Sequence, residues 1–224
     1  MSAVLATLLG KAVAWRQEPA LPLSRGKFDR IVELARDKDV LDIGCVGGEI
    51  GAELSETSHA RIAAVARSCV GVDIVSSEVS RWQAAGYEAV VANAEDLQLG
   101  RSFDVIVAAD VIEHLANPGR FLEAARAHLR ADGLLCIVTP NALSLNNALK
   151  SLAGYRVAVN PEHTCWYDLA TLRQLLGRFG FEPVEEHWQD YQRHPLTGLL
   201  LRFRRGLAAH IIVIAGMRRG GIRP

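Results

Sequence analysis

A glycine-rich turn follows directly on a short apolar run that ends at Ile43. Asp42 lies within the run, and Gly44, Gly47 and Gly48 come after it. Glycines let the backbone approach a ligand closely, and a helix that begins after such a turn presents free N–H groups to that ligand. The Asp42 carboxylate, just before the turn, could hold a cationic or hydrogen-bond-donating group. The pattern therefore predicts a ligand-binding turn between a strand and a helix.

A second acid, Asp73, ends the next apolar run, which reads Val-Gly-Val-Asp-Ile. It lies roughly 20 to 30 residues past the glycines, where nucleotide-binding α/β folds place the acid that holds ribose hydroxyls. The glycine spacing, Gly-x-x-Gly-Gly, differs from the Gly-x-Gly-x-x-Gly of dinucleotide enzymes, which counts against a dehydrogenase. The two features together predict a ribose-containing cofactor.

Alternating strand and helix patterns position these residues. Apolar runs predict five strands in the first part of the chain, over 39–43, 69–74, 88–92, 103–109 and 134–138. The alternation implies right-handed crossovers and a mostly parallel, doubly wound α/β sheet with helices on both faces. Ligands bind such sheets at the carboxyl ends of the strands, so we expect Asp42 and Asp73 to lie at one edge.

The second half of the chain begins with a connection over 139–168. It is longer than a plain loop, so we expect it to carry function or short helices of its own. Asp168 is predicted to cap a helix that ends at Gly180. Strand-like runs follow at 181–188 and 210–216. Helical patterns are also predicted over 2–16, over much of 48–66 and over about 196–207, and Asn117-Pro118 is predicted to open the helix after the fourth strand.

The composition is typical of one large α/β domain. The chain has 224 residues, half of them hydrophobic, and a formal net charge of zero, so it lacks the basic field common in nucleic-acid-binding proteins. Its four cysteines form no Cys-x-x-Cys pair, which favours free thiols in a reducing compartment. The start lacks the charged region of a secretory signal, and no stretch reaches the ~18 apolar residues of a membrane span. We therefore expect a cytoplasmic protein.

Five motifs, in order, resemble those of the class I S-adenosylmethionine-dependent methyltransferases, particularly the ubiquinone-pathway O-methyltransferases. They are Val-Leu-Asp-Ile-Gly-Cys (40–45), Val-Gly-Val-Asp-Ile (70–74), Asn-Ala-Glu-Asp-Leu (93–97), Phe-Asp-Val-Ile-Val-Ala-Ala-Asp-Val-Ile-Glu-His-Leu (103–115) and Gly-Leu-Leu-Cys-Ile-Val-Thr-Pro-Asn (133–141). The resemblance implies a Rossmann-like, seven-stranded, mostly parallel sheet whose last strand, 210–216, lies antiparallel beside the fifth. Val46 and Asn93 depart from the family pattern, which often has glycine and aspartate there.

The resemblance also implies S-adenosylmethionine as cofactor and a single methyltransferase domain over 1–224. Within it, 1–38 would form an N-terminal helical cap, 39–141 the cofactor-binding core, and 142–224 the acceptor-side connection and final strands.

One end of the cofactor site is expected near the glycine turn. The resemblance implies that the methionine portion and the methyl group are faced by Gly44, Cys45, Gly47, Ala109 and Asp110. Asp42 could contact the cofactor's amino group through water, or could simply order the turn.

The other end of the site is expected beside Asp73. By resemblance, its carboxylate would accept hydrogen bonds from both ribose hydroxyls in a charge-assisted arrangement, with Ile74 next to it. Asn93 and the Ala94 N–H would contact the adenine edge, together with Glu95.

Two histidines are candidates for proton transfer when the methyl acceptor is a hydroxyl. A histidine that removes the hydroxyl proton typically contributes ~100- to 10,000-fold to the rate. His114 follows the fourth strand, and His163 lies in the long connection, where the resemblance places the acceptor pocket. We predict His163 as the base and His114 as its support. In the alternative, His114 only packs beneath the cofactor and His163 only braces the loop.

Asp110, Glu113 and His114 also suggest a metal site, since some relatives use a divalent ion. Three side chains at this spacing at a helix start are not expected to converge, so no metal is predicted.

The C-terminal part is unusually basic. No acidic residue follows Asp190, whereas seven arginines do. This asymmetry could attract an anionic substrate or provide weak contact with a membrane surface, although the solvated face of a helix is the simpler interpretation.

We favour a methyltransferase acting on a small-molecule hydroxyl of a sugar, polyketide or quinone-like ring. The alternatives are an anionic lipid- or phosphate-linked acceptor at a membrane surface, and a non-catalytic cofactor-binding partner protein. A protein or nucleic-acid acceptor is disfavoured by the balanced charge and by the lack of an Asn-Pro-Pro-Tyr-type motif after the fourth strand.

Overall fold

A single eight-stranded sheet forms the centre of the molecule. The computed structural model describes residues 23–24, 27–47, 53–157, 160–190 and 204–218. The strands are β1 (Leu23–Ser24), β2 (Asp39–Ile43), β3 (Ser68–Asp73), β4 (Glu88–Val91), β5 (Phe103–Ala109), β6 (Leu129–Pro140), β7 (Phe181–Gln189) and β8 (His210–Met217). Their order across the sheet is β1-β7-β8-β6-β5-β2-β3-β4.

Six helices lie in this part of the chain. They are α1 (Lys27–Ala35), α2 (Ser58–Ala63), α3 (Ser76–Ala84), α4 (Pro118–His128), α5 (Leu145–Leu152) and α6 (Leu169–Arg178). Among the helices of these ranges, none is long and apolar enough to cross a membrane.

The pairing of the strands confirms the predicted topology. β4, β3, β2, β5 and β6 run parallel, and β8 lies antiparallel between β6 and β7. The seven longer strands are those expected, and the two-residue β1 extends the far edge by pairing with β7. β2 and β5 are neighbours, so their carboxyl ends meet at the middle of one edge.

Two apolar cores, one on each face, account for the helices on both sides. Successive side chains of a strand point to opposite faces. In β2, Val40 therefore packs with Ile31 of α1, whereas Leu41 packs in the other core with Leu122 of α4 and Leu172 of α6. Because both faces of the central strands are buried, these strands read as continuous apolar runs.

Two of the helices begin at the capping residues that the sequence indicates. The Asn117 side chain accepts a hydrogen bond from the Arg120 N–H ahead of α4. Asp168 and Thr171 form a reciprocal capping box at the start of α6, and Gly180 follows that helix with a φ of 80°. Both confirmed caps fix where the chain leaves the carboxyl edge of the sheet.

The helix predicted over much of 48–66 is shorter than expected. In the part of this segment that is described, a 3-10 turn at Leu54–Glu56 precedes α2. The Thr57 hydroxyl accepts from the Ala60 N–H and donates to the Leu54 carbonyl, so Thr57 caps a new helix instead of continuing the first turn. The helices predicted over 2–16 and most of 196–207 lie outside the described residues; Arg205–Leu207 forms a 3-10 turn.

Candidate active site

The Asp73 carboxylate holds the glycine turn in place. The N–H of Val46 donates to Asp73 Oδ2 at 3.1 Å, across 27 residues of sequence. Gly44 and Cys45 donate their N–H groups to the Val72 carbonyl at 2.7 and 3.2 Å. The turn is therefore fastened to the end of β3 at three points, which orders its backbone at the junction of β2 and β3.

Glycine is required within this turn for its conformation. Gly44 and Gly47 have φ values of 74° and 51°, in the left-handed region that other residues avoid. Val46, where glycine is expected by family resemblance, is 2 % exposed and packs with Trp82 in a small core.

Asp73 remains at the edge of the sheet while it makes these bonds. Its other oxygen, Oδ1, accepts from the Val75 N–H at 3.1 Å. The residue is 9 % exposed, and its neighbour Ile74 is 72 % exposed. Each carboxylate oxygen has two lone pairs, so one on each oxygen is left for a ligand hydroxyl. The predicted ribose contact fits this arrangement.

Asp42 is directed into the protein. Its Oδ2 lies 2.8 Å from Nδ1 of His59, and both side chains are buried. The His59 ring packs edge-on against Trp82 at a centroid distance of 4.9 Å, and within the described ranges its Nε2 has no hydrogen-bond partner. This favours the alternative in which Asp42 orders the turn; its contact with a cofactor stays a prediction.

Gly71, the glycine of the Val-Gly-Val-Asp motif, lies beneath the glycine turn, where neighbouring side chains leave no room for a Cβ. A Cβ on Gly71 would lie 2.8 Å from the Cys45 sulfur and 2.9 Å from Cε1 of His59. Burial raises the pKa of the Cys45 and Cys69 thiols, and the nearby Asp42 carboxylate raises it further. Both thiols are therefore neutral at physiological pH, which makes them packing groups and not nucleophiles.

The predicted adenine-side residues form a second turn after β4. Asn93 Oδ1 accepts from the Glu95 N–H at 2.9 Å, and Ala94 is buried. Glu95 Oε1 accepts from the N–H groups of Ala116 and Asn117 at 2.9 and 3.1 Å. The Glu95 carboxylate thus joins this turn to the start of α4, a positional role that its local sequence does not indicate.

The end of β5 comes close to the glycine turn. Asp110 has a φ of 54°, a left-handed conformation that aspartate tolerates better than most residues, and its N–H donates to Val138. A Cβ on Gly44 would lie 2.5 Å from Cγ2 of Val111. Ala109 and Asp110 therefore lie at the same edge as the turn, as the parallel pairing of β2 and β5 requires.

The structure brings the two predicted catalytic histidines together. His114 ends the 3-10 turn Ile112–His114, and its ring lies edge-on to that of His163 at a centroid distance of 4.6 Å. Thr164 makes this possible, because its N–H donates to the Glu113 carbonyl at 2.8 Å and its hydroxyl to the Leu115 carbonyl at 2.6 Å. The long connection is thereby fastened to the turn after β5.

Glu113 completes a group that could hold a divalent cation. It is 2 % exposed; Oε2 accepts from the Thr139 hydroxyl at 2.9 Å, and Oε1 has no partner in the described part of the chain. One ligand atom from each of Glu113, His114 and His163 lies within 4.8 Å of the others. Carboxylate oxygen and imidazole nitrogen are ligands that zinc and similar metals accept. Sequence reasoning considered Asp110 as the third member, whereas the fold supplies His163.

Three contributors to the site were not singled out from the sequence. His59 supports Asp42, Thr139 binds Glu113, and Thr164 fixes His163 beside His114. For Thr164, the one local signal in the sequence is its position directly after His163. Tyr167, close to His163 in the sequence, is buried in the core, and its hydroxyl accepts from the Cys165 thiol at 3.1 Å.

The sequence of this chain is similar to those of known methyltransferases. The profile of the methyltransferase-domain family matches residues 15–186. A probable S-adenosylmethionine-dependent methyltransferase of Mycobacterium tuberculosis is 34 % identical over 160 residues, which are 70 % of this chain and 53 % of that protein. A ubiquinone biosynthesis O-methyltransferase of Azorhizobium caulinodans is 33 % identical over 158 residues, 65 % of this chain and 59 % of that protein. The chain spans about half the length of the mycobacterial relatives that it matches.

Solved structures share the fold. Magnesium protoporphyrin IX methyltransferase from Synechocystis, with bound S-adenosylhomocysteine, superposes with a TM-score of 0.60 at 16 % identity, covering 86 % of this chain and 82 % of that one. The N-methyltransferase NodS from Bradyrhizobium japonicum, also with S-adenosylhomocysteine, gives 0.58 at 14 % identity, covering 96 % and 97 %. At these identities the likeness bears on the fold alone.

Gly44→Ala tests how tightly the glycine turn is packed. The added methyl would combine left-handed backbone strain with the contact to Val111, so we expect a loss of about 2–4 kcal/mol in the free energy of unfolding. Gly100→Ala is the matched control, because Gly100 has a φ of 62° with open space around its Cβ position. It should lose only about 1 kcal/mol. Urea unfolding of both variants measures the difference, and equal losses would contradict the close approach of the turn to Val111.

Proposed function

The chain belongs to the methyltransferase-domain family, and on this premise we propose that it transfers a methyl group from S-adenosylmethionine to the hydroxyl oxygen of a small molecule. The family confirms the identification made from the five sequence motifs, and the name of the mycobacterial relative agrees with this cofactor. Enzymatic activity of the whole protein, its acceptor and its cytoplasmic location belong to the proposal.

The observation that carries the proposal is the Asp73 carboxylate at the end of β3. It binds the Val46 N–H of the glycine turn and still reaches the surface of the edge. A ligand with vicinal hydroxyls could use the remaining lone pairs, while the exposed Ile74 side chain offers an apolar surface for a base. The carboxylate acceptors and the adjacent apolar surface therefore fit an adenosyl group.

The cofactor supplies an activated methyl group on a sulfonium centre. For such a displacement the protein mainly has to hold the reacting groups in line, and positioning can lower the barrier by several kcal/mol. The fastened turn at Gly44 and Cys45 provides a fixed backbone surface at one side of the site. The turn after β5, with Asp110 and His114, provides the other.

His163 is proposed as the base and His114 as its support. The two rings are in contact, and the Thr164 bonds hold the loop so that His163 need not be ordered when the acceptor binds. His114 Nδ1 also lies 4.0 Å from a carboxylate oxygen of the exposed Glu162. The buried Glu113 carboxylate lies beside both histidines.

The acceptor is proposed as a small molecule of the quinone, polyketide or sugar class. The naming of several relatives as ubiquinone biosynthesis O-methyltransferases supports an aromatic hydroxyl. The sequence after β5, Asp-Val-Ile-Glu-His, supplies His114, which together with His163 gives two histidines for proton transfer. It lacks the Asn-Pro-Pro-Tyr-type motif expected for an amine acceptor. A non-catalytic cofactor-binding protein is the alternative that turnover measurements distinguish.

Asp73→Asn tests the cofactor site. The amide has one acceptor oxygen, so it loses either the Val46 or the Val75 bond along with the charge, and we expect affinity for S-adenosylhomocysteine to fall at least tenfold. Isothermal titration measures it. Asp104→Asn is the control, because Asp104 also accepts a backbone N–H, from Asp39 at 2.9 Å, but at the opposite edge of the sheet.

That control should bind S-adenosylhomocysteine as the wild type does. Equal affinity in all three proteins, or no binding by a folded wild type to either S-adenosylmethionine or S-adenosylhomocysteine, would contradict the proposed function.

His163→Ala tests the base. Cofactor affinity should be unchanged, while turnover, measured as S-adenosylhomocysteine release over a panel of phenolic, quinol and sugar acceptors, should fall at least tenfold. Glu182→Gln, at an exposed position of β7, is the control and should retain the turnover. If His163 acts as a base without a metal, EDTA should not change the turnover. Loss of wild-type turnover in EDTA, restored by magnesium or zinc, would instead assign Glu113, His114 and His163 to a cation, and unchanged turnover in His163→Ala would remove this residue from the mechanism.

A further inference from the structure

An apolar patch lies on the segment that follows β6. We define it by Leu143, Leu149, Leu152, Tyr155 and Trp166, whose exposure ranges from 41 % to 85 %. They are five of the eight exposed large apolar side chains in the described ranges. Single exposed apolar residues are ordinary on protein surfaces, but a concentration of this kind marks an interaction site.

Backbone hydrogen bonds bring together the segments that carry these residues. The Tyr155 N–H donates to the Lys150 carbonyl at 2.9 Å, which folds Tyr155 back on the last turn of α5. The Ala142 N–H donates to the Tyr167 carbonyl at 2.8 Å, which sets the backbone next to Trp166 beside that next to Leu143. The two ends of the connection therefore meet on either side of the helix.

Helix α5 lies on the surface of the described part of the protein. None of its eight residues is buried. Leu145, Leu149 and Leu152 recur at i, i+4 and i+7, so one face is apolar, while Asn146 and Lys150 lie off that face. An amphipathic helix with an uncovered apolar face has to meet something other than water to be favourable.

The segment that carries α5 has charge of one sign. No acidic residue occurs between Asp132 and Glu162, whereas Lys150 and Arg156 lie in this interval. The acid-free C-terminal segment approaches the same place, because Asn141 Nδ2 donates to the carbonyls of Gly206 and Ala208 at 2.9 and 2.8 Å. Arg204 and Arg205 are thereby brought to the end of β6 from which α5 departs. The sequence alone does not reveal that the two acid-free segments meet.

We infer that this patch docks on the interface of an anionic lipid bilayer. Leucines on one helix face, flanking tryptophan and tyrosine, and lysine and arginine beside them are the composition of helices that lie in a membrane interface. Basic residues there are attracted by anionic headgroups. A second copy of the chain fits less well, since a two-fold contact would bring Lys150 and Arg156 against their own like charges.

Docking goes beyond the proposed function and does not depend on it. Since the connection that carries the patch also carries His163, a docked molecule would present its candidate active site near the bilayer. An amphiphilic acceptor that partitions into membranes would then be concentrated at the site.

Vesicle flotation of the full chain tests this inference. We expect the wild type to float with phosphatidylcholine vesicles that contain phosphatidylglycerol, and much less with phosphatidylcholine alone. Leu149→Gln/Leu152→Gln should lower the partition coefficient at least tenfold, and Lys150→Gln/Arg156→Gln should abolish the preference for the anionic vesicles. Val184→Gln, at a 63 % exposed valine of β7, is the matched control and should float as the wild type does.

Thermal unfolding and light scattering of the same samples complete the experiment. The leucine variant should keep the wild-type melting temperature, because the residues removed are exposed. The inference is overturned if the wild type floats with neither vesicle, if the leucine variant floats as well as the wild type, or if the patch substitutions only dissociate a dimer. Asp73→Asn should float normally, so failure of cofactor binding and failure of docking are separate results.

Discussion

The hydrogen bond from the Val46 N–H to the Asp73 carboxylate is the contact on which the site depends. It joins the turn after β2 to the end of β3, across 27 residues of the sequence. A buried carboxylate that accepts backbone N–H groups is costly to disturb, because the N–H groups left behind would be unsatisfied. The same carboxylate stays at the edge of the sheet. One residue therefore orders the backbone of the turn and offers a charged acceptor to a ligand beside it.

A second set of contacts builds the proposed acceptor side. Thr164 fastens the long connection to the carbonyls of Glu113 and Leu115, and this brings His163 to His114. The connection begins at the end of β6 and includes α5 as well as His163, so the surface helix and the histidine pair belong to one segment of the chain. An exposed apolar face on α5 is unfavourable in water. Under the two proposals, the same segment holds the base and provides the face that meets a lipid surface.

Much of this arrangement was predictable from local sequence. The apolar runs before Gly44 and Asp73 are strands with adjacent carboxyl ends, because continuous burial and alternation with helices leave few other topologies. The caps at Asn117 and Asp168 were also predictable, since capping is a local interaction. The pairing of Asp42 with His59, the Thr164 bonds and the convergence of His163 on Glu113 were not, because each depends on how separate elements pack. The helix expected over much of 48–66 is shorter in the described part of that segment, because Thr57 caps a new helix there.

The central claim is that Asp73 and the glycine turn together bind an adenosyl group at the carboxyl edge of β2 and β3. A crystal structure of the chain soaked with S-adenosylhomocysteine tests it most directly. The account predicts density along this edge, with ribose oxygens within hydrogen-bond distance of Asp73 and the amino-acid portion against the backbone of Gly44 and Cys45. Density elsewhere on the protein, or a ligand at this edge that leaves the Asp73 carboxylate without a contact, would contradict it.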